Sequence, residues 1–276
     1  MSFSDLVRDT ITTLRAHKLR TALTMFGIAW GIVSITLMVA AGEGLRVGQA
    51  RVAQNFGKDV MIVNAGRTSM QAGGMRAGRN VRWTATDHLV IQEQAPACGY
   101  AMPELGQNVP VKSRFNSGTL LVTGSMPDFA HLRSIPVARG RYPNWEDEDQ
   151  GRRVAFLGSD SRKQLFGDRP DIGETILIKD YPYTVVGEME HKDQDSSYDG
   201  RDISKVFVPF SAIIRDMPTR PPWPPDHVDR LLVAPRSLED HEACDRQLRA
   251  TLARLHNFDP ADEEACGIWD TVKEAK

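Results

Sequence analysis

Residues 22–41 read ALTMFGIAWGIVSITLMVAA, a run of 20 residues without a charged side chain. An α-helix rises ~1.5 Å per residue, so such a run covers ~30 Å, the hydrocarbon thickness of a bilayer. A helix also pairs its own backbone polar groups, as a chain within lipid must do. The sequence therefore predicts one transmembrane helix at 22–41.

Two other interpretations of this run remain open. A cleaved secretory signal has a shorter apolar core of ~7–15 residues, although the small residues Ala40 and Ala41 suit a cleavage site. A core helix of a soluble protein would have to be covered on every side, because this run is apolar all round. The length of the run favours the membrane span over both.

The charges that flank the run predict its orientation. Four basic residues precede it and are the candidate residues for the cytoplasmic face: Arg8, Arg15, Lys18 and Arg20. On the other side the chain continues with Gly42-Glu43-Gly44 and is less basic. Because basic flanks stay in the cytoplasm, we expect a cytoplasmic N-terminus and a large domain outside.

The segments on either side of the run have helical patterns. Apolar residues recur every three or four positions from Phe3 to Leu14, which predicts an amphipathic helix over 1–21 that lies in the membrane interface. A simple continuation of the membrane helix is the alternative. After the run, loose helical spacing predicts a helical stalk at 42–58.

Within the run, Gly27 and Gly31 form a GxxxG spacing. Small residues at this spacing let a second membrane helix approach closely, so both glycines are candidates for helix packing. Ordinary membrane-helix composition explains them equally well, because glycine is frequent there.

Composition limits the classes of function. The net charge is −2 with 25% charged residues, so no broad basic surface indicates nucleic-acid binding. The cysteines are Cys98, Cys244 and Cys266, an odd number that excludes a disulfide framework. If the domain lies outside the cytoplasm, Cys244 with Cys266 is the candidate pair, and unpaired buried thiols are the alternative.

The domain after the span reads as an α+β fold in two lobes. Strand–helix–strand patterns at 59–115 and 226–276 predict a first lobe made of two similar halves. Between them, 116–225 is rich in short strands and predicts an inserted β-rich lobe that ends in the proline-rich stretch 218–225.

No pattern predicts catalysis, a cofactor or a metal. GxxxxGK[ST] is absent, and GSDS at 158–161 lacks the second glycine of a nucleophile elbow. The acidic run 146–149 and the run HKDQD at 191–195 are more typical of solvated loops than of metal sites. Trp145, Tyr142 and Trp223 stand near prolines, where aromatic residues usually pack loops. We therefore expect no catalytic, cofactor-binding or metal-binding residues.

A series of short motifs in a fixed order marks the chain between residues 15 and 210. These are LRTAL (19–23), GIAWG (27–31), GEGLR (42–46), VTGS (122–125), ARGR (138–141), DED (147–149), VAFLG (154–158), QLFG (164–167), IGET (172–175) and YTVVG (183–187). In this order they resemble the permease subunits of MacB-like ABC exporters, namely their N-terminal membrane helix and periplasmic core domain.

The resemblance implies a porter-like lobe with an inserted smaller lobe, located outside the inner membrane of a bacterium. It also implies that an ATP-binding cassette ATPase subunit drives a permease homodimer or heterodimer, whose membrane helices relay motion outward. A periplasmic adaptor protein is a further candidate partner. The expected function is thus the non-catalytic N-terminal part of an exporter permease. The alternative is a membrane-anchored extracytoplasmic binding module without an ATPase, and an anchored enzyme ranks third.

One departure from the resembled family concerns the number of membrane spans. Permeases of this type carry three further membrane helices after the outer domain, and no second apolar run follows here. We therefore expect either a truncated fragment or a split subunit whose remaining spans come from another polypeptide.

Overall fold

The computed structural model describes residues 18–55, 60–192 and 198–270. The chain divides into two compact units, Met1–Arg51 and Val52–Lys276. In the first unit, helix α1 (Lys18–Asn55) contains the predicted span, and the most apolar window of its Lys18–Arg46 stretch has a mean hydropathy of 2.0 and is not buried. This helix is therefore long and apolar enough to cross a membrane. The predicted interfacial helix at 1–21 lies almost entirely outside the described residues.

The second unit combines strands and short helices. Its strands are β1 (Met61–Ala65), β2 (Trp83–Thr84), β3 (Cys98–Lys112), β4 (Ser117–Ser125), β5 (Val137–Gly140), β6 (Val154–Leu157), β7 (Thr175–Ile178), β8 (Tyr181–Met189), β9 (Lys205–Pro209), β10 (His227–Val228), β11 (Arg230–Pro235) and β12 (Cys266–Asp270). Its α-helices are α2 (Asp87–Gln94), α3 (Phe129–Leu132), α4 (Trp145–Asp149), α5 (Ser159–Phe166), α6 (Phe210–Asp216) and α7 (His241–His256). A 3-10 turn covers Asp202–Ser204.

Strand β3 connects the two parts of one large sheet, in the order β12-β1-β11-β3-β4-β9-β6-β8-β5, with β7 paired to β3 and β8. Its first part, up to Glu104, pairs with β11, and its second part, from Leu105, pairs with β4. Both pairings are antiparallel. The strand thus changes its partner between Glu104 and Leu105.

The first part of the sheet consists of two interleaved strand–helix–strand units. Strands β1 and β3 both lie antiparallel to β11, so they run parallel to each other with β11 between them, and α2 connects them. In the same way β11 and β12 flank β1 and are connected by α7. Each predicted strand–helix–strand piece is therefore a split βαβ unit. In the sequence, the segment that contains β4 to β9 is inserted between these two split βαβ units.

Both faces of the first part of the sheet are covered. Met61 and Val63 belong to one buried apolar cluster, together with Leu248 and Leu252 of α7. Ile62, which points to the opposite face, belongs to a second buried cluster with Phe207. Burial on both faces explains why β1 reads as a continuous apolar run. The lobe bounds 59–115, 226–276 and 116–225 remain a prediction, because residues 52–276 form one compact unit.

The Ser/Thr-x-x-Asp spacing at Thr84 and at Ser237 predicts that a helix starts at each of these residues, and both predictions are wrong by a few residues. Thr84 belongs to β2, and its backbone N–H and Oγ1 donate to Asp87, the first residue of α2. Likewise Ser237 Oγ donates to the Asp240 carboxylate (2.8 Å), and α7 begins only at His241. In both places the Ser/Thr-x-x-Asp spacing closes a turn before the helix, so neither hydroxyl caps it.

The acidic run 146–149 is a helix rather than the predicted solvated turn. Asn144 forms a capping box with Asp147, and the Asp147 carboxylate is buried and paired with Arg141. Acidic residues suit the first turn of a helix because its free N–H groups and dipole favour negative charge.

The disulfide partners also differ from the candidate pair. Cys98 at the start of β3 is bonded to Cys244 in α7, with a Cα–Cα distance of 4.9 Å, and Cys266 is a buried free thiol. Helix α7 lies against the end of β3 where Cys98 is placed, whereas Cys266 belongs to β12, beyond β11 and β1 in the strand order. Spacing along the chain did not reveal this contact.

Candidate functional site

A cleft of about 770 Å³ lies beside the point where β3 changes partners. We call it the β3 cleft; it is lined by residues 105–110 of β3, by Lys179 of the β7–β8 turn, and by residues of the segment 218–230, among them Arg220, Trp223 and His227. Its volume lies in the range of small-molecule sites, about 300–1,000 Å³. The two walls come from parts of the chain that only the folded sheet brings together.

Stacked rings and a guanidinium form one side of the β3 cleft. The ring of Trp223 stacks on that of His227 with centroids 4.4 Å apart and planes within 17°. Arg82 lies over the Trp223 ring at 4.9 Å and donates to the Pro222 carbonyl (3.1 Å). Burial lowers the pKa of His227 below its ordinary value, so the imidazole is neutral at pH 7.

Some charged groups of the β3 cleft are paired within the protein, and others have no carboxylate partner among the described residues. Arg230 forms ion pairs with Glu104 (3.1 Å) and Asp199 (3.0 Å), and the Asp229 carboxylate accepts the Gly106 N–H (2.8 Å). In contrast, neither the Lys179 ammonium nor the Arg220 guanidinium has a carboxylate partner among the described residues. The cleft therefore contains cations that the described part of the chain does not neutralise.

A buried ionic cluster lies next to the β3 cleft and shares Arg230 with it. Glu104 accepts hydrogen bonds from the Tyr198 hydroxyl (2.6 Å) and from Arg230 (3.1 Å). Lys205, also fully buried, pairs with Asp199 at 2.5 Å. Burial, together with the nearby negative charge of Asp199, raises the pKa of Glu104 to about 7. These contacts join β3, β9 and β11.

A second part of the ionic cluster is equally buried. Arg133 and Asp202 are both 0% exposed and lie 3.1 Å apart. Lys192 donates to the Arg133 carbonyl (2.9 Å), and burial lowers the pKa of Lys192 to about 8. Removing one partner of such a pair would leave an uncompensated buried charge. The members of the cluster thus compensate one another's charge at the junction of the two parts of the sheet.

The predicted membrane residues lie on an uncovered helix. A Cβ added at Gly27 or Gly31 would meet no atom within 4 Å, so the strip is open in this unit. Lys18 and Arg20 are exposed in the first turns of α1, and Arg8 and Arg15 lie outside the described residues. Their roles in helix packing and at the cytoplasmic face remain predictions.

The β3 cleft was not predicted from the sequence. Of the aromatic residues expected to pack loops, Trp223 lines the cleft, whereas Tyr142 is buried and hydrogen-bonded to Ser125. Lys179 and Arg220 gave no signal, because each stands alone in sequence. Within the described ranges no group of three or more His, Cys, Asp or Glu residues is placed to hold a metal ion, and Asp193 and Asp195 of the 191–195 run lie outside them.

Comparison with known proteins gives a consistent result. A sequence model of the MacB-like periplasmic core domain family matches residues 21–251. The pyoverdine export ATP-binding/permease protein PvdT of Pseudomonas syringae pv. tomato is 29% identical over 255 residues, 92% of this chain and 37% of that protein. The macrolide export ATP-binding/permease protein MacB of Vibrio parahaemolyticus is 28% identical over 212 residues, 77% and 32%. The chain thus spans about a third of the length of these relatives.

Two solved structures have the same fold. The periplasmic region of MacB from Actinobacillus actinomycetemcomitans superposes with a TM-score of 0.63 at 15% identity, covering 80% of this chain and 92% of that one. The extracellular domain of the noncanonic ABC-type transporter YknZ from Gram-positive bacteria gives a TM-score of 0.61 at 13% identity, covering 76% and 99%. The predicted α+β class and the predicted resemblance are both confirmed. With a match that covers most of its length, this chain belongs to the MacB-like periplasmic core domain family.

Proposed function

We propose that this chain is the N-terminal part of an ABC exporter permease subunit. In this role it couples ATP hydrolysis in the cytoplasm to movement of an extracytoplasmic domain and does no covalent chemistry itself. The observation that carries the proposal is the family match over 21–251, because it includes both the apolar helix and the β-rich domain.

In this proposal, helix α1 transmits movement from the cytoplasmic side of the membrane to the extracytoplasmic domain. It has 38 residues and is continuous, so it is about 57 Å long, whereas the hydrocarbon core is ~30 Å thick. A single helix of this length extends beyond the bilayer and transmits a displacement at one end to the other. Gly27 and Gly31 would pack against further membrane helices of the permease, within a homodimer or heterodimer.

The disulfide supports the proposed orientation. Disulfides persist in oxidising compartments such as the bacterial periplasm and are rare in the cytosol. The Cys98–Cys244 bond therefore favours a domain on the outer side of the inner membrane. Basic residues before the span favour a cytoplasmic N-terminus for the same topology. The ATPase subunit would then meet the N-terminal side, and an adaptor protein would meet the periplasmic side.

Co-purification tests the proposal. The full chain, tagged at its native locus, is extracted from membranes in a mild detergent, and bound proteins are identified by mass spectrometry. We expect enrichment of a protein with an ATP-binding cassette relative to an unrelated single-span membrane protein that carries the same tag. If no such protein is enriched at any detergent that keeps the chain soluble, the permease role is wrong and the anchored binding module is favoured.

A further inference from the structure

We propose that the β3 cleft binds a soluble small molecule with an acidic group on an apolar body. The binding itself is a property of the cleft. Its interpretation as the recognition of exported cargo rests on the proposed function.

The walls of the β3 cleft suit an apolar body. Leu105, Val109 and Val81 are buried apolar side chains that line it, and Pro218 closes the other side. Ligand sites of this size are mostly apolar and hold a few polar groups that fix the orientation of the ligand. The volume of about 770 Å³ accommodates a molecule with several rings.

The charges of the β3 cleft select an acidic group. Lys179 and Arg220 come from different elements, the β7–β8 turn and the proline-rich segment, and reach the same cleft. Neither forms an ion pair among the described residues, and with Arg230 they give the lining three cations against one carboxylate, that of Asp229, which accepts the Gly106 N–H. Cations left without partners favour a carboxylate, sulfonate or phosphate that forms charge-assisted hydrogen bonds with them.

His227 is a second and independent observation. It lines the β3 cleft, is only 8% exposed, and its Nδ1 atom has no hydrogen-bond partner among the described residues. Nine in ten or more buried polar groups are paired, so an unpaired ring nitrogen at a cleft indicates a missing ligand group. The adjacent Trp223 ring fixes the position of the imidazole by stacking.

Binding is tested with naphthalene-1-sulfonate as the probe. The full chain is placed in nanodiscs of zwitterionic lipid, and equilibrium dialysis measures the bound probe, with empty nanodiscs subtracted. The neutral analogue naphthalene-1-sulfonamide has the same rings without the charge. We expect saturable binding of the sulfonate and at least about tenfold weaker binding of the sulfonamide.

Variants assign the binding to the cleft. The double variant Lys179→Gln with Arg220→Gln should weaken binding of the sulfonate by about tenfold or more and leave binding of the sulfonamide unchanged. Lys179→Arg with Arg220→Lys should retain binding, because both charges remain. As a matched control, Arg236→Gln with Arg246→Gln removes two exposed cations outside the cleft and should change the affinity less than about twofold. Thermal unfolding of each variant establishes that it is folded.

Absence of saturable sulfonate binding overturns the proposal, as does an equal loss in the control pair. Equal affinity for the neutral analogue overturns the acidic-ligand assignment. These failures differ from a failure of the proposed function, because co-purification with an ATPase does not depend on the cleft. Conversely, a chain that binds the probe without an associated ATPase retains the site and loses its interpretation as cargo recognition.

Discussion

Cys98 and Cys244 are 146 residues apart in the chain and are joined by a disulfide that ties the start of β3 to helix α7. Helix α7 belongs to one split βαβ unit and β3 to the other. The bond therefore crosslinks the two interleaved units of the first part of the sheet. It also leaves Cys266 as the one free cysteine of the chain.

This pairing predicts the pattern of thiol labelling. Burial raises the pKa of the Cys266 thiol to about 12, so we expect no alkylation of the native chain at pH 8. In denaturant without reductant, peptide mass spectrometry should find the label on Cys266 alone, and after reduction on all three cysteines. Label on Cys98 before reduction would instead indicate the Cys244–Cys266 bond and contradict the structure.

Asp216 predicts an acid-sensitive contribution to stability. Although burial acts to raise its pKa, hydrogen bonds from Arg153, Arg215 and Tyr183 hold it well below its usual range. The stabilisation is therefore present above about pH 4 and is lost as the pH falls further. We expect Asp216→Asn to lower the free energy of unfolding by about 1–3 kcal/mol at pH 7.

Urea unfolding of the full chain in nanodiscs, followed by tryptophan fluorescence, measures this difference. The control is Asp180→Asn, since Asp180 is exposed and lies 3.8 Å from Lys112. This control substitution should lower the free energy of unfolding by less than about 0.5 kcal/mol. If Asp216→Asn lowers the free energy of unfolding equally at pH 7 and at pH 3, the charge of Asp216 is not the source of the stabilisation.

The raised pKa of Glu104 predicts a dependence of stability on pH that is opposite to that of Asp216. Its pKa is raised from 4.5 to about 7 by burial and by Asp199, so the folded chain holds the proton more tightly than the unfolded chain does. The contribution of Glu104 to stability is thus full below pH 4.5 and declines as the pH rises to 7. We expect the decline to be about 3 kcal/mol.

The Glu104→Gln variant removes this titration. Its unfolding free energy should change less between pH 5 and pH 7.5 than that of the wild type, even if it is lower throughout. Exposed Glu239, outside the cluster, provides the control Glu239→Gln, which should keep the wild-type slope. An unchanged slope in Glu104→Gln would assign the pH dependence to other groups.

The open strip of α1 predicts an effect on assembly. Gly27→Leu with Gly31→Leu fills the strip and should reduce the fraction of chain that crosslinks to other permease helices in native membranes. Ala29→Leu adds the same kind of bulk on the other side of the helix and should leave crosslinking unchanged. Equal crosslinking in all variants would contradict a role of Gly27 and Gly31 in helix packing and would favour ordinary membrane-helix composition as their explanation.

Local patterns were predictable from the sequence and distant contacts were not. The apolar run at 22–41 and the strands β1, β6 and β9 are continuous apolar segments, so the identity of each element follows from a few neighbouring residues. For strand β3, the sequence pattern predicts a strand only over 109–114, whereas the strand begins at Cys98. Its first part contains Gly99 and Pro103, which are poor strand residues, and is held by pairing with β11.

The β3 cleft was missed for the same reason. Lys179, Arg220 and His227 meet only because β3 changes partners and the segment 218–230 returns beside it. Each residue alone resembles any surface cation or buried histidine. Similarly, the pairing of Cys98 with Cys244 depends on how α7 packs on the sheet, which the spacing of cysteines does not contain. Pairing between distant strands is set by tertiary packing.

Electron paramagnetic resonance distance measurement tests the coupling most directly. In Leu238→Cys, at a position 63% exposed, the new thiol is free, whereas Cys98 and Cys244 are bonded and Cys266 is buried. A spin label at residue 238 reports the distance between the two extracytoplasmic domains of the proposed permease homodimer, purified with its ATPase. We predict different distance distributions in the nucleotide-free and the ATP–vanadate-trapped states. Identical distributions in a complex that hydrolyses ATP would contradict the proposed coupling.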